Sequence, residues 1–230
     1  MPPALFKALL LDLEDRCRAE TLQAHKMIFE HSGLDRRRAR RVEGIARYNM
    51  MEKGFAEVCQ RHGGVTLLDG LIPHSKLKTF QPFMRFEVDG QGFIFGLAAI
   101  SEPSALPSKN MSRKAGVTLN YSLSPRFDFD GSGPKTGDIF ILLLVSRDHS
   151  IAGMIEELAI GVIDSNYEQY LFYESIQNYI AGYGDAPTST HDGPPSSGVV
   201  TSGISLKTSV KTFVPRGTKN PVDNEEKEVK

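Results

Sequence analysis

The sequence contains no tryptophan, only two cysteines and no apolar run long enough to cross a membrane. Two cysteines, Cys17 and Cys59, are too few for the disulfide framework of a small secreted protein, so we expect free thiols in a reducing compartment. A membrane-spanning helix needs roughly 20 apolar residues, whereas the run at residues 139–145 has seven. Because no basic region or small-residue cleavage site marks a signal peptide, we expect a cytoplasmic protein without membrane partners.

The sequence also lacks an excess of charge of either sign. It has 27 Lys and Arg residues against 28 Asp and Glu residues among 230, which gives a net charge of −1. A protein without a global field is not drawn to nucleic acid or membranes by its overall charge, so any electrostatic partner must bind a local patch. Hydrophobic residues make up 40% of the chain, which is enough for one sizeable core.

Several chemical signatures are missing as well. No pair of histidines has metal-ligand spacing, and the sequence contains no Gly-x-Ser-x-Gly elbow or known catalytic Cys/His arrangement. Residues 128–133 have the oxygen side chains and glycine that open a calcium loop, but its twelfth position is Ile139 instead of Glu. The sequence therefore predicts a tight turn there, no metal site and no identifiable cofactor.

Two amphipathic helices are predicted at the N-terminus. Apolar residues recur at spacings of about four over residues 4–31, and Ser32 with Gly33 ends this helix. Asp35 is a candidate cap for a second helix that reaches about residue 62, with Gly54 as a weak point inside it. Helices joined by so short a loop should pack antiparallel, so residues 1–63 are predicted to form a helical hairpin.

After residue 64 the apolar spacing changes from four to two. Predicted strands cover residues 65–68, 83–88, 93–100, 117–123, 139–145, 155–163 and 169–173, and a short helix follows at 175–183. The strand at 139–145 is apolar throughout, which is typical of a central strand buried on both faces. Short connections favour antiparallel pairing. We therefore expect a single α+β domain over residues 1–183, with the hairpin packed on a mainly antiparallel sheet of five to six strands (64–183).

The composition changes again at residue 184. Residues 184–230 are rich in Pro, Ser, Thr and Gly, and Phe213 is their only aromatic residue. Such a segment cannot bury enough apolar surface to offset the entropy lost on ordering, so it is predicted to be a disordered tail.

The most unusual local feature is a run of arginines at the start of the second helix: Arg36, Arg37, Arg38, Arg40 and Arg41. Cations at this end of a helix oppose its dipole, so folding gives no reason for them. Guanidinium groups match phosphate oxygens, which favours a binding or adaptor protein that engages nucleic acid or another acidic partner. The alternative is a solvated face paired to acids of the first helix, namely Asp12, Glu14 and Asp15.

A second hypothesis is a metal-dependent, nuclease-like hydrolase. Its candidate catalytic residues lie around the central strand: Asp138, Asp148, His149, Glu156 and Glu157. Asp138 with Glu156 or Glu157 could form a carboxylate pair for a divalent metal. Asp148 could orient His149 as a base, although neighbours along a strand face opposite sides. The sequence leaves open whether the protein is an enzyme.

A third hypothesis is a homodimer without chemistry. Aromatic residues crowd one short region: Tyr167, Tyr170, Phe172, Tyr173 and Tyr179. If exposed, they could form an interface. The alternative is an edge strand and a helix that close the core.

Overall fold

In a computed structural model, the described residues are 7–67, 72, 78–79, 81–88, 90–123 and 137–182. All of them belong to one unit, Met1–Thr188. The turn predicted at 128–133 and the disordered tail predicted at 184–230 lie outside the described residues. Within the described ranges, no helix combines the length and the apolar character that a membrane span requires.

The two predicted N-terminal helices are present as α1 (Lys7–His31) and α2 (Arg36–Arg61). Asp35 caps α2 as predicted, because its carboxylate accepts hydrogen bonds of 3.0 Å from the backbone N–H groups of Arg37 and Arg38. This cap satisfies two of the backbone donors that a helix leaves unpaired at its start.

The helices run antiparallel and lie close together. Three contacts along the pair show the antiparallel direction: Asp12 with His62, Arg16 with Glu57 and His25 with Glu43. Gly54 lies where α1 is closest, since an added Cβ would be 2.8 Å from Cγ and 2.9 Å from Nε of Arg16. The glycine predicted as a weak point therefore serves close packing, and α2 continues through it.

Six strands form one sheet in the order in which they occur in the chain. They are β1 (Val65–Thr66), β2 (Met84–Val88), β3 (Gln91–Ile100), β4 (Ile139–Arg147), β5 (Ile155–Ile163) and β6 (Tyr170–Ser175). Neighbouring strands are antiparallel except for β3 and β4, which are parallel. The predicted α+β fold, with a helical hairpin and a mainly antiparallel sheet, is confirmed.

One predicted strand is wrong. Residues 117–123 are the last residue of helix α3 (Met111–Val117) and a 3-10 helix (Thr118–Leu123). Asn110 begins α3, because its side-chain oxygen accepts a 2.7 Å hydrogen bond from the backbone N–H of Arg113. Since this helical segment lies in the connection from β3 to β4, the two strands can be parallel, which a short hairpin loop would not allow.

Asn120 explains why the apolar alternation at 117–123 was misleading. Its amide nitrogen donates to the carbonyls of Phe140 at 3.0 Å and Ile163 at 2.8 Å, and its oxygen accepts from the N–H of Phe140 at 2.8 Å. The side chain is fully buried. In a strand with the alternating apolar residues inward, Asn120 would face outward. In the structure it points inward and attaches the 3-10 helix to β4 and β5.

Strand β4 is buried on both faces, as predicted. Ile141, Leu143 and Val145 belong to the core that contains the hairpin residues, whereas Phe140 and its alternate neighbours Leu142 and Leu144 belong to a second core. Helix α3 covers this second face so closely that a Cβ on Gly116 would be 2.5 Å from the Phe140 ring. A final short helix, α4 (Ile176–Ala181), packs on the hairpin side.

Two glycines of α2 provide a test of the close approach to α1. No atom lies within 4 Å of a Cβ added at Gly44, so Gly44→Ala should stabilise the protein by about 1 kcal/mol through helix propensity. Gly54→Ala gains the same propensity but must displace Arg16 from its ion pairs with Glu20 and Glu57. We expect it to be at least about 1 kcal/mol less stable than Gly44→Ala in urea unfolding. Equal stabilisation by both substitutions would contradict the close approach.

The two cysteines are free thiols, as predicted, and both are buried. Burial, together with the charge of Glu20, raises the pKa of the Cys17 thiol to about 12, and burial raises that of Cys59 further. Both thiols therefore stay protonated and shielded from solvent in the folded protein.

We expect neither thiol to react with a disulfide reagent such as DTNB at pH 8 while the protein is folded. Both should react at once in guanidinium chloride, which exposes them and restores ordinary pKa values. A Ser122→Cys variant supplies the control, because residue 122 is exposed and its thiol should react in the folded protein. Rapid reaction of the folded wild-type protein would show that the interface between α1 and α2 opens readily.

Candidate functional site

The five arginines at the start of α2 form an exposed group that we name the arginine tip: Arg36, Arg37, Arg38, Arg40 and Arg41. Every residue from 29 to 38 is also exposed, so solvent surrounds this end of the hairpin. Around the helix axis the five side chains spread over roughly 200°, at about 100° per residue. The tip is therefore a basic end of a helix and not a single flat face.

Acids of α1 do not neutralise the arginine tip. The alternative based on Asp12, Glu14 and Asp15 requires the acids to lie beside it, but antiparallel packing places them toward the other end of the hairpin. There Asp12 lies 2.9 Å from His62, and Glu14 pairs with Arg18 at 2.8 Å.

Within the tip, only one ion pair forms. Arg38 Nη1 lies 2.8 Å from Asp35 Oδ2, and both side chains are exposed, so this pair contributes about 0–1 kcal/mol. Arg36, Arg37, Arg40 and Arg41 form no ion pair with any residue in the part of the chain that the structure describes. Four exposed guanidinium groups of the tip are therefore not neutralised by a described residue.

A second group of charges lies on the same face of α2. Residues 36, 40, 43 and 47 share one side of a helix because they recur at spacings of four, three and four. Glu43 is 1% exposed, and its Oε1 lies 3.6 Å from Nδ1 of His25 on α1. We name the group of His25, Glu43, Arg47 and Arg147 the Glu43 cluster.

Four buried polar atoms of the Glu43 cluster have no hydrogen-bond partner: His25 Nδ1, Glu43 Oε1, Arg47 Nη1 and Arg147 Nε. Burial lowers the pKa of Arg47, Glu43 raises it, and the nearby charge of Arg147 lowers it further. Sequence reasoning missed this cluster, although the spacing of Glu43 and Arg47 behind the arginine tip was a signal. Arg147 and His25 could not be placed beside them without the tertiary structure.

Asp138, the first of the predicted catalytic residues, is bound to Arg85. Arg85 Nε and Nη2 donate to its two carboxylate oxygens at 2.8 and 3.2 Å. The pair lies over Gly92, where an added Cβ would be 1.9 Å from Asp138 Oδ1. Asp138 thus connects the start of β4 to β2 across a glycine of β3.

Asp148 and His149 lie at the other end of β4, roughly 30 Å from Asp138, since a strand rises about 3.3 Å per residue. Asp148 Oδ1 accepts from the hydroxyl and N–H of Ser150 at 2.6 and 2.7 Å and from the N–H of Ile151 at 2.9 Å. These hydrogen bonds, led by that of the Ser150 hydroxyl, lower the pKa of Asp148. His149 Nε2 instead donates to the Ser101 carbonyl at 3.0 Å, so Asp148 does not orient it.

Glu156 and Glu157 begin β5 and therefore lie at the same end of the sheet as Asp148. Glu156 is exposed, and Glu157 accepts a hydrogen bond from the Tyr173 hydroxyl. Burial and this bond raise the pKa of Tyr173 to about 12. Asp138 consequently does not form the predicted pair with either glutamate. In the described ranges, no group of three or more His, Cys, Asp or Glu residues could hold a metal ion.

The predicted aromatic group lies on β6, the turn before it and α4. Tyr170 donates to the Ala105 carbonyl at 2.8 Å, and Tyr167 is 3% exposed. Phe172 is 37% exposed and makes an edge contact with Tyr179. Most of these rings close the edge of the sheet, and Phe172 is the main exposed surface that they offer.

A buried polar network beside β3 was not anticipated from the sequence. Gln81 donates to the Tyr48 hydroxyl, and its Oε1 accepts from Asn110 at 3.0 Å and Arg113 at 3.5 Å. Arg113 is 7% exposed and also donates to the Ser108 carbonyl. These bonds connect α2, the segment before β2 and the start of α3. They also give the buried guanidinium group of Arg113 its hydrogen-bond partners.

Comparisons with protein-family models, curated proteins and solved structures returned no match to this chain.

The ion pair between Arg85 and Asp138 predicts a structural role for Asp138. Asp138→Ala leaves the partly buried Arg85 guanidinium with only the exposed Glu87 as an ion-pair partner among the described residues, so unfolding free energy should fall by about 1–3 kcal/mol. The double variant Arg85→Met/Asp138→Leu should recover part of that loss, because no buried charge is left unpaired. Urea unfolding of the wild type, Arg85→Met, Asp138→Leu and the double variant measures the coupling. Additive effects of the two sites would show that the pair contributes nothing.

Proposed function

We propose that this protein binds nucleic acid through the arginine tip, by contacts to phosphate groups and not to a particular base sequence. One observation carries the proposal: Arg36, Arg37, Arg40 and Arg41 are exposed and form no ion pair with a described residue. Cations at a helix N-terminus cost about 0.3–1 kcal/mol each. The protein retains them without a compensating contact, which is expected of residues that serve a partner.

The shape of the arginine tip also supports a nucleic-acid partner. A helix with its side chains is about 10–12 Å wide and fits the major groove of duplex DNA, which is about 12 Å wide. Solvent surrounds residues 29–38, and the buried residues of α2 begin at Ala39, so the first turn of α2 can approach a groove without collision with the sheet. Arginines spread around the helix can then reach phosphates on both sides of the groove. The hydrolase and homodimer hypotheses stay predictions, since no described feature favours them over the tip.

The proposal predicts steep salt dependence. Four arginines that neutralise four phosphates give a slope of log K against log salt of about −3.6 on duplex DNA, or roughly a 150-fold loss between 50 and 200 mM salt. The quadruple variant Arg36→Gln/Arg37→Gln/Arg40→Gln/Arg41→Gln should lose most binding and most of the slope. Fluorescence anisotropy with a labelled 20-base-pair duplex, and with the corresponding single-stranded DNA and RNA, measures both quantities.

The control variant removes the same number of charges elsewhere. Lys7, Lys53, Arg61 and Lys114 are exposed, so their replacement by Gln changes the net charge equally and should leave most of the binding intact. Equal loss in both quadruple variants would mean that net charge alone controls binding, and the proposal would be wrong. Polyglutamate that displaces the duplex at equal charge concentration would instead identify an acidic protein as the partner.

A further inference from the structure

The arginine tip continues along α2 into the Glu43 cluster. Arg36, Arg40 and Arg47 form a row on one face of the helix, interrupted by the buried Glu43, and these 11 residues of helix rise about 16 Å. Arg147 is the last residue of β4, and the turn after it packs on α1 at His25, since a Cβ added at Gly153 would be 2.8 Å from Cβ of His25. The charge of Arg147 also acts on Arg47 at the end of this row. A row of this length matches about five base pairs at 3.4 Å per phosphate of one strand.

Two positive charges, those of Arg47 and Arg147, lie at the end of the row. Arg47 and Arg147 come from different elements, and each has a buried nitrogen without a hydrogen-bond partner. Buried unpaired donors and adjacent cations both destabilise a fold. Folding alone would favour a neutral residue at one of these positions.

Glu43 does not balance the cluster. Its carboxylate is 1% exposed, lies 3.6 Å from His25 and acts on the charge of Arg47, so one carboxylate stands against the two guanidinium groups of Arg47 and Arg147. Asp148 follows Arg147 in the chain, but its carboxylate is occupied by Ser150 and Ile151. One more anionic group is needed to neutralise the two guanidinium groups.

We propose that Arg47 and Arg147 together bind one phosphate of the same nucleic-acid strand whose other phosphates contact the arginine tip. This inference rests on the proposed function and extends it to a second element, the end of β4. Both residues are partly exposed, although Arg47 Nη1 and Arg147 Nε are buried, so a phosphate can approach the rest of each guanidinium group from solvent. The charge of Glu43 favours the cationic form of Arg47, and the phosphate supplies an acceptor that the protein does not.

The test is Arg147→Gln in the full chain, with the labelled 20-base-pair duplex as the probe. We expect binding about tenfold weaker at 100 mM salt and a salt slope less steep by about one. In the absence of DNA, the urea midpoint should stay the same or rise, because a like-charge contact with Arg47 is removed. Arg147→Lys should restore the slope but only part of the affinity, since lysine keeps the charge and loses the two-pronged donor.

Arg61→Gln, at the opposite end of α2, is the matched control and should change affinity less than twofold. If Arg147→Gln binds as wild type while the quadruple tip variant does not, the phosphate site is wrong and the proposed function stands. If neither wild type nor variants bind the duplex, both proposals fall together. A lower urea midpoint with unchanged DNA affinity would identify Arg147 as a structural residue only.

Discussion

The structure depends on one constraint: β4 has apolar side chains on both faces, so it must be covered twice. The α1–α2 hairpin covers one face, and α3 with its following 3-10 helix covers the other. To place α3 and the 3-10 helix on the second face, the chain leaves the sheet after β3 and returns to it as β4. This connection makes β3 and β4 the single parallel pair. Short connections account for the antiparallel pairs β2–β3, β4–β5 and β5–β6.

The same constraint explains why a basic surface exists. α2 has 26 residues and is about 39 Å long, whereas the nine residues of β4 span about 30 Å. A helix longer than the strands that it covers leaves a turn or two without an apolar surface to pack against. The buried residues of α2 begin at Ala39, and the arginine tip occupies the part that cannot be buried. Charge at this end therefore costs no core packing.

Most of the fold could be predicted from local patterns, because those patterns have local causes. The Asp35 cap, the period of the two helices and the wholly apolar strand at residues 139–145 each reflect one element and its burial. The segment at 117–123 was misread because alternation describes burial but not backbone shape. Asn120 lies inward only because β4 and β5 present their backbone groups to it. The arginine tip was visible as composition, whereas the Glu43 cluster required three elements to meet.

Two of the buried acids of the domain, Asp138 and Glu43, differ in how well their hydrogen-bonding atoms are satisfied. At one end of β4, Asp138 has both oxygens bonded to Arg85, and Gly92 leaves the space for this pair. At the other end, the buried Glu43 Oε1 has no donor, and buried nitrogens of Arg47 and Arg147 have no acceptor, among the described residues. One sheet thus carries a satisfied ion pair and an unsatisfied cluster at its opposite ends. The unsatisfied cluster lies at the end of β4 nearest the arginine tip, which is the observation that supports the proposed phosphate contact there.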